Sequence, residues 1–143
     1  MFFGTYCGLA GLSLLSGVAV AFSEKQKQVV LVVEDEALIR MHAAEMIRDL
    51  GFEVIEAANA DQAISLLESG SEVSVVFTDI QMPGSMDGLR LAAAVRKRWP
   101  PVALLVTSGQ FRPGHGDLPE NAHFLPKPYM FGELKTHLAE LAN

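Results

Sequence analysis

The sequence predicts an α/β fold in which a parallel sheet of five strands is covered by helices. Three observations support this prediction. From Gln28 onward, strand-like and helix-like segments alternate strictly, as they do in chains of βαβ units. The middle strands are continuous apolar runs, a composition typical of parallel strands that are buried on both faces. Polar side chains follow these runs directly, at the edge of a parallel sheet where functional sites form.

The first part of this region contains two strands, each followed by an amphipathic segment. Val29–Val33 is an aliphatic run that is too short for a helix. Ala37–Leu50 is predicted to be helical because its apolar residues recur every three or four positions; they are Ile39, Ala43, Met46, Ile47 and Leu50. Phe52–Glu56 alternates apolar and acidic residues, as is typical of a strand nearer the sheet edge. Asn59 is predicted to cap the next helix, with Gln62 completing a capping box.

The second part supplies the remaining strands. Val73–Thr78 is a buried strand, and the helix after it runs from Asp87 to Trp99. Val102–Thr107 is the fourth strand. Ser108–Ala122 is rich in glycine and proline, which predicts mostly loop. His123–Pro126 is predicted to be a short last strand, the Lys127-Pro128 bond allows a cis peptide, and a final amphipathic helix contains Leu134, Leu138 and Leu141.

Polar side chains stand at the carboxyl ends of four predicted strands. They are Glu34, Asp35, Asp79, Thr107, Ser108 and Lys127. Their spacings are close to one βα unit or a multiple of it, so a parallel sheet would gather them in one crevice. Clustered carboxylates repel one another unless a cation lies among them, and their hard oxygen atoms suit Mg²⁺. Asp79 can then act as a nucleophile toward a phosphoryl group, whose oxygens Lys127 and Thr107 would contact.

From about Val29 to Asn143, the chain resembles the receiver domains of two-component response regulators. The matching segments are VVLVVEDE, VVFTDIQMPGSMDG, LLVTSG and LPKPY. The resemblance implies a flavodoxin-like (CheY-like) sheet of five parallel strands in the order 2-1-3-4-5, with helices on both faces. It also implies that Mg²⁺ is held by Glu34, Asp35, Asp79 and the backbone carbonyl of Gln81.

The same resemblance implies a function. Asp79 would accept a phosphoryl group from a sensor histidine kinase or a histidine phosphotransfer protein, Lys127 would bind that group, and Thr107 would follow it. The chain is then expected to be a single-domain response regulator rather than an enzyme, although it would assist its own phosphotransfer and dephosphorylation. Its output would be a conformational switch that a partner protein detects.

Four features depart from the family pattern. Glu34 replaces the commoner first aspartate. Ser85 resembles a one-residue insertion in the loop after Asp79, and Phe124 is an apolar residue at the position of the family's switching aromatic residue. The stretch from Gly109 to Pro119 lies where the family has its fourth helix, so we expect that helix to be shortened or replaced by a loop.

Other function classes have less support. A haloacid-dehalogenase-like phosphatase also uses a nucleophilic aspartate, but that family needs a second aspartate two residues on, where this chain has Gln81. A degenerate receiver that acts as a phosphorylation-independent interaction module is the alternative to the phosphoacceptor. The net charge of −6 argues against nucleic-acid binding, and the glycine-rich motifs of nucleotide sites do not follow the first strand.

Histidine and cysteine give no separate indication of a site. The spacing of the four histidines, at positions 42, 115, 123 and 137, is not one typical of metal ligands, and we interpret them as surface or loop residues. The single cysteine, Cys7, excludes an internal disulfide and is consistent with a reducing, cytoplasmic location.

The N-terminal segment, residues 1–27, is predicted to be separate from the receiver region at 28–143. The run from Phe2 to Phe22 has 21 uncharged residues, and a helix of that length would span about 30 Å of bilayer core. Lys25 and Lys27 would then leave the rest of the chain in the cytoplasm. Two alternatives remain open: a signal peptide cleaved near Ala19-Val20-Ala21, or a non-native extension from an upstream start.

Overall fold

In the computed structural model of the chain, the structure describes residues 27–143 and the backbone of two strands nearer the N terminus. These strands, β1 (Gly11–Leu15) and β2 (Val18–Phe22), pair antiparallel. They are not part of a helix, so the helix considered for residues 2–22 is not formed at these positions. None of the helices in the described residues is long and apolar enough to cross a membrane. Residues 1–10, 16–17 and 23–26 of the predicted N-terminal segment lie outside the described residues.

A five-stranded parallel sheet forms the centre of residues 27–143. Its strands are β3 (Val29–Val33), β4 (Glu53–Ala57), β5 (Val75–Asp79), β6 (Ala103–Ser108) and β7 (His123–Pro126). The strand order is β4-β3-β5-β6-β7, and each neighbouring pair is parallel. Counted from β3, this is the order 2-1-3-4-5, so the predicted fold is confirmed.

Four helices cover the sheet on both faces. They are α1 (Ala37–Asp49), α2 (Ala60–Glu68), α3 (Gly88–Arg98) and α4 (Phe131–Leu141). On one face, α1 and α4 bury Ile47, Leu134 and Leu138 against the sheet. On the other face, α2 and α3 bury the side chains of Leu67 and Leu91. These two apolar layers hold the carboxyl ends of the strands at one edge of the domain.

The capping prediction for α2 is confirmed in its main contact, and α3 is capped in the same way. The side chain of Asn59 accepts a hydrogen bond from the Gln62 backbone N–H at 2.8 Å. The reciprocal contact differs slightly from the expected capping box, because Gln62 Oε1 accepts from the N–H of Ala58 at 2.8 Å. At the start of α3, Asp87 Oδ1 accepts from the N–H of Arg90 at 2.9 Å.

The predicted loop between β6 and β7 is also confirmed. Residues 109–122 contain turns but no helix, so the fourth helix of the family pattern is replaced here by loop. Gly116 has φ +90° and Asn121 has φ 65°, values in the left-handed region that favour glycine and asparagine. The Lys127-Pro128 peptide bond that follows β7 is cis.

One packing prediction on α1 is wrong. Ile39 was expected on the buried side of the helix, but it is 38% exposed, and its neighbours Leu38 and Met41 are 82% and 56% exposed. The helix buries Ala43 and Ile47, as expected, together with Ala44. None of its first six residues is buried, so the buried stripe begins about one turn later than the periodicity predicts.

Candidate functional site

The described strands bring the predicted polar residues to one edge of the sheet. Glu34 follows β3, Asp79 is the last residue of β5, and Lys127 follows β7. Thr107 lies in β6 as the register partner of Asp79. Since β3, β5, β6 and β7 are successive neighbours in the sheet, their carboxyl ends meet in one crevice.

Three carboxylates cluster in this crevice. One oxygen each from Glu34, Asp35 and Asp79 lies within 4.8 Å of the others. Glu34 is 4% exposed and Asp79 is 9% exposed, whereas Asp35 faces solvent. Burial raises the pKa of Glu34 to about 7, although its Oε2 accepts a hydrogen bond from the Glu36 N–H at 3.0 Å. The buried Glu34 carboxyl group therefore carries a negative charge less readily than a carboxyl group in water.

Lys127 is the cation that contacts the two buried carboxylates. Its Nζ lies 3.1 Å from Asp79 Oδ2 and 3.3 Å from Glu34 Oε1. Burial alone would lower the pKa of Lys127, but the Asp79 and Glu34 carboxylates outweigh it and hold the pKa above its ordinary value. The side chain is thus a permanent ammonium group, and one such group offsets only part of the charge of three carboxylates.

The donor set suits a magnesium ion. Mg²⁺ prefers oxygen ligands at 2.0–2.1 Å in octahedral geometry, which places neighbouring ligand atoms about 3 Å apart and opposite ones about 4.2 Å apart. The carboxylate oxygens of Glu34, Asp35 and Asp79 lie within a comparable range. One of the three side chains faces solvent, so water can complete the coordination. The residues present therefore fit the predicted ion.

Two further predicted site residues, Thr107 and Gln81, lie beside Asp79. The hydroxyl of Thr107 donates to the backbone carbonyl of Leu125 at 2.6 Å. The sheet thus brings Thr107 beside Asp79, but its hydroxyl is engaged with β7. Gln81 contacts Asp79 through its backbone N–H, which donates to Oδ1 at 3.3 Å, and its side chain is exposed.

Gly88 is a site-positioning residue that the sequence pattern indicated only as the start of a helix. A Cβ atom at this position would overlap the carbonyl oxygen of Asp79 and lie 2.8 Å from the Cα of Ile80. The Gly88 N–H donates to the Ile80 carbonyl at 2.8 Å. The first residue of α3 therefore rests directly on the backbone that carries Asp79, a contact that only glycine permits.

Ser85, the apparent insertion, joins the loop after β5 to a neighbouring helix. Its hydroxyl donates to Asp61 Oδ1 in α2 at 2.6 Å. The preceding Gly84 has φ +117°, which favours glycine. The extra residue is accommodated within the loop, and α3 still begins with its cap at Asp87.

The interpretation of the four histidines needs a correction. His42 and His115 are exposed, as expected, but His123 in β7 and His137 in α4 meet with their Nδ1 atoms 2.9 Å apart. Glu140 Oε1 lies 3.8 Å from His123 Nδ1. Sequence spacing missed this cluster because a strand and a helix brought together residues that are distant along the chain; the available signal was His137 and Glu140 at i and i+3 on one helix.

An apolar groove lies beside the crevice. It has a volume of about 630 Å³ and is lined by Leu38, Ile39, Met46, Lys127 and Tyr129, among others. We call it the α1 groove. Because Lys127 belongs to both the groove and the carboxylate cluster, a molecule in the groove would be adjacent to Asp79.

Comparison with known proteins agrees with this geometry. Residues 30–139 match the model of the response regulator receiver domain family. Over 116 residues, 78% of this chain, the sequence is 36% identical to the sensor kinase CckA of Brucella abortus (strain 2308), of which that match covers 12%. It is also 36% identical to the transcriptional regulatory protein PdtaR of Mycobacterium tuberculosis (strain H37Rv), over 73% of this chain and 52% of that protein. The chain thus spans about half or less of these relatives.

Solved structures show the same relationship. The response regulator protein TrrA from Thermotoga maritima, crystallised in complex with Mg²⁺-BeF, superposes with a TM-score of 0.71. The two sequences are 27% identical over 80% of this chain and 98% of that one. With a family match across most of the chain, the predicted strand order and an acidic crevice at the strand ends, this chain belongs to the response regulator receiver domain family.

Proposed function

We propose that the chain works as a response regulator receiver that accepts a phosphoryl group on Asp79 in a Mg²⁺-dependent reaction. The observation that carries the proposal is the contact of Lys127 Nζ with Asp79 and Glu34, at 3.1 and 3.3 Å, beside a third carboxylate. A carboxylate nucleophile, an ammonium group and a set of oxygen ligands for a metal are the components that phosphoryl transfer to an aspartate requires. The match to a receiver family supports the same chemistry.

Each proposed site residue has a distinct role. A carboxylate oxygen of Asp79 attacks phosphorus; an O–P bond forms while the P–N bond to the donor histidine breaks, and its electron pair leaves with the imidazole. Lys127 holds the phosphoryl oxygens. Glu34, Asp35, Asp79 and the Gln81 carbonyl would hold Mg²⁺, which when bound neutralises charge on those oxygens. The TrrA complex with Mg²⁺-BeF supports this assignment by similarity.

Thr107 is proposed to couple phosphorylation to a change of conformation. Its hydroxyl now donates to Leu125, one residue past Phe124. To follow a phosphoryl group on Asp79, the hydroxyl has to leave that carbonyl, which releases a backbone acceptor in β7. The loop at 109–122, which connects β6 to β7, would then shift, and a partner protein would detect the new surface.

The donor is proposed to be a histidine kinase or phosphotransfer protein that docks in the α1 groove. Leu38 is 82% exposed, and Met41 is 56% exposed. Such side chains form the apolar centre of a protein interface, and the groove reaches the site at Lys127. Since these donors act in the cytoplasm, we propose that residues 28–143 work there as the receiver domain.

We expect Leu38→Asp to slow phosphorylation by a phosphohistidine-bearing donor protein by about tenfold or more, because a charge would be buried at the centre of the contact. Phosphorylation by acetyl phosphate, which needs no docking surface, should be unchanged. Ala93→Asp, on the exposed side of α3, is the matched control. Equal rates for both donors would rule out the α1 groove as the docking surface.

The phosphoacceptor proposal is tested by intact mass after incubation with acetyl phosphate. We expect a gain of one phosphoryl group that requires Mg²⁺ and that is absent in Asp79→Asn and in excess chelator. Asp49→Asn, at the exposed end of α1, should gain the group normally. If the folded, Mg²⁺-supplied protein shows no adduct at early times, the phosphorylation-independent interaction module becomes the better assignment.

A further inference from the structure

A second group of potential metal ligands lies on the edge of the sheet that β7 forms. His123 and His137 face each other across the contact between β7 and α4, with ring centroids 5.1 Å apart. One ring nitrogen of each histidine and a carboxylate oxygen of Glu140 lie within 4.8 Å of one another. None of these residues takes part in the chemistry proposed for Asp79.

The distances match those of a shared transition-metal ion. Zn²⁺ binds imidazole nitrogen at 2.0–2.1 Å and carboxylate oxygen at 2.0–2.2 Å, so two ligands of a tetrahedral ion lie about 3.4 Å apart. The Nδ1 atoms of His123 and His137 are 2.9 Å apart, and His123 Nδ1 is 3.8 Å from Glu140 Oε1. Shifts of a few tenths of an ångström would bring the ligand atoms to the metal-bound spacing.

The protonation chemistry is also favourable. Two Nδ1 atoms at hydrogen-bond distance cannot both carry a proton without repulsion, so at least one presents a lone pair. Burial and the adjacent His123 lower the pKa of His137. Glu140 supplies a negative charge, and the partial exposure of both histidines leaves space for a water ligand.

We propose that His123, His137 and Glu140 form a Zn²⁺ site with one position open to water. Three protein ligands from a strand and a helix would fasten α4 to β7. That strand leads directly to Lys127, so the bound ion would stiffen the segment that carries the phosphate-binding lysine. This inference is independent of whether Asp79 is phosphorylated.

Calorimetric titration of the full chain with ZnCl₂ tests the site. Excess Mg²⁺ should be present throughout, because it competes for the separate carboxylate cluster. We expect one Zn²⁺ per chain, and a loss of affinity of at least about tenfold in His137→Ala and in Glu140→Gln, since removal of a ligand should have no less effect than removal of an outer-shell partner. The Co²⁺-loaded protein should show the visible absorption bands of four-coordinate Co²⁺, and the same variants should lack these bands.

His115→Ala and Cys7→Ser are the controls, and both should bind Zn²⁺ as the unmodified chain does. Thermal unfolding confirms that each variant is folded, and added Zn²⁺ should raise the Tm of the unmodified chain but not that of His137→Ala. Binding that persists unchanged in His137→Ala and Glu140→Gln, or no binding to the unmodified chain, would overturn the proposal. The two histidines would then form a hydrogen-bonded pair only.

Discussion

Gly88→Ala is expected to lower the free energy of unfolding by about 3 kcal/mol or more. The added methyl group would overlap the carbonyl oxygen of Asp79, and the neighbouring atoms are backbone rather than flexible side chain. Relief requires the start of α3 to move away from β5, which weakens the hydrogen bond from Gly88 N–H to the Ile80 carbonyl. Urea unfolding followed by circular dichroism measures the loss.

Gly132→Ala is the matched control for this substitution. Gly132 lies in the first turn of α4, and a Cβ atom there would meet nothing within 4 Å. Because alanine favours helix over glycine, we expect a gain of roughly 0.5–1 kcal/mol. A Gly88→Ala protein as stable as the unmodified chain would mean that α3 does not rest on the backbone of Asp79.

Lys127→Met is expected to lower the free energy of unfolding by about 2 kcal/mol at pH 8 without metal. It leaves the largely buried Glu34 and Asp79 without their cation, and removal of one partner from a buried pair is strongly destabilising. The expected loss of stability is smaller than for a fully buried ion pair, because the side chain of Lys127 is partly exposed and solvent screens its charge. Lys135→Met, at an exposed position of α4, should have little effect.

The effect of Lys127→Met should depend on pH. The folded-state pKa of Glu34 is raised from 4.5 to about 7, so between these values the folded protein binds more protons than the unfolded chain. Its contribution to the free energy of unfolding therefore falls as pH rises through this range. Lys127 opposes the rise in the pKa of Glu34. In Lys127→Met, the free energy of unfolding should therefore fall more steeply with pH and continue to fall at higher pH.

Urea unfolding in the presence of a chelator, measured from about pH 5 to pH 8, tests this expectation. The difference in the free energy of unfolding between Lys127→Met and the unmodified chain should be smallest at the acidic end of this range. Added Mg²⁺ should recover part of the loss at pH 8, since a bound cation replaces some of the missing charge. A difference that is the same at every pH would indicate that Lys127 acts through packing rather than through the charge of the carboxylates.

The parallel strands and the gathering of Glu34, Asp79 and Lys127 could be predicted from features that the sequence records directly, whereas the strand order followed from the resemblance to receiver domains. Continuous apolar runs define buried parallel strands, and the residue after each run lies at the carboxyl edge of the sheet. The loop at 109–122 was equally predictable, since glycine and proline oppose helix formation regardless of tertiary context.

The wrong predictions concern residues whose burial or contacts depend on neighbouring helices and strands. Ile39 has helical periodicity, but no residue in the first six positions of α1 is buried, so periodicity alone overestimated its burial. His123 and His137 meet only because α4 packs back on β7.

The loop at 109–122 affects how the protein can be recognised. Within it, backbone hydrogen bonds join Asp117 to Gly114 and Ala122 to Pro119, contacts that span single turns. Segments held by such local contacts open at low free energy compared with a packed helix. A partner that contacts this loop would therefore meet a surface whose shape depends on short-range contacts, and that surface could adapt to the partner at a smaller free-energy cost than a packed helix could.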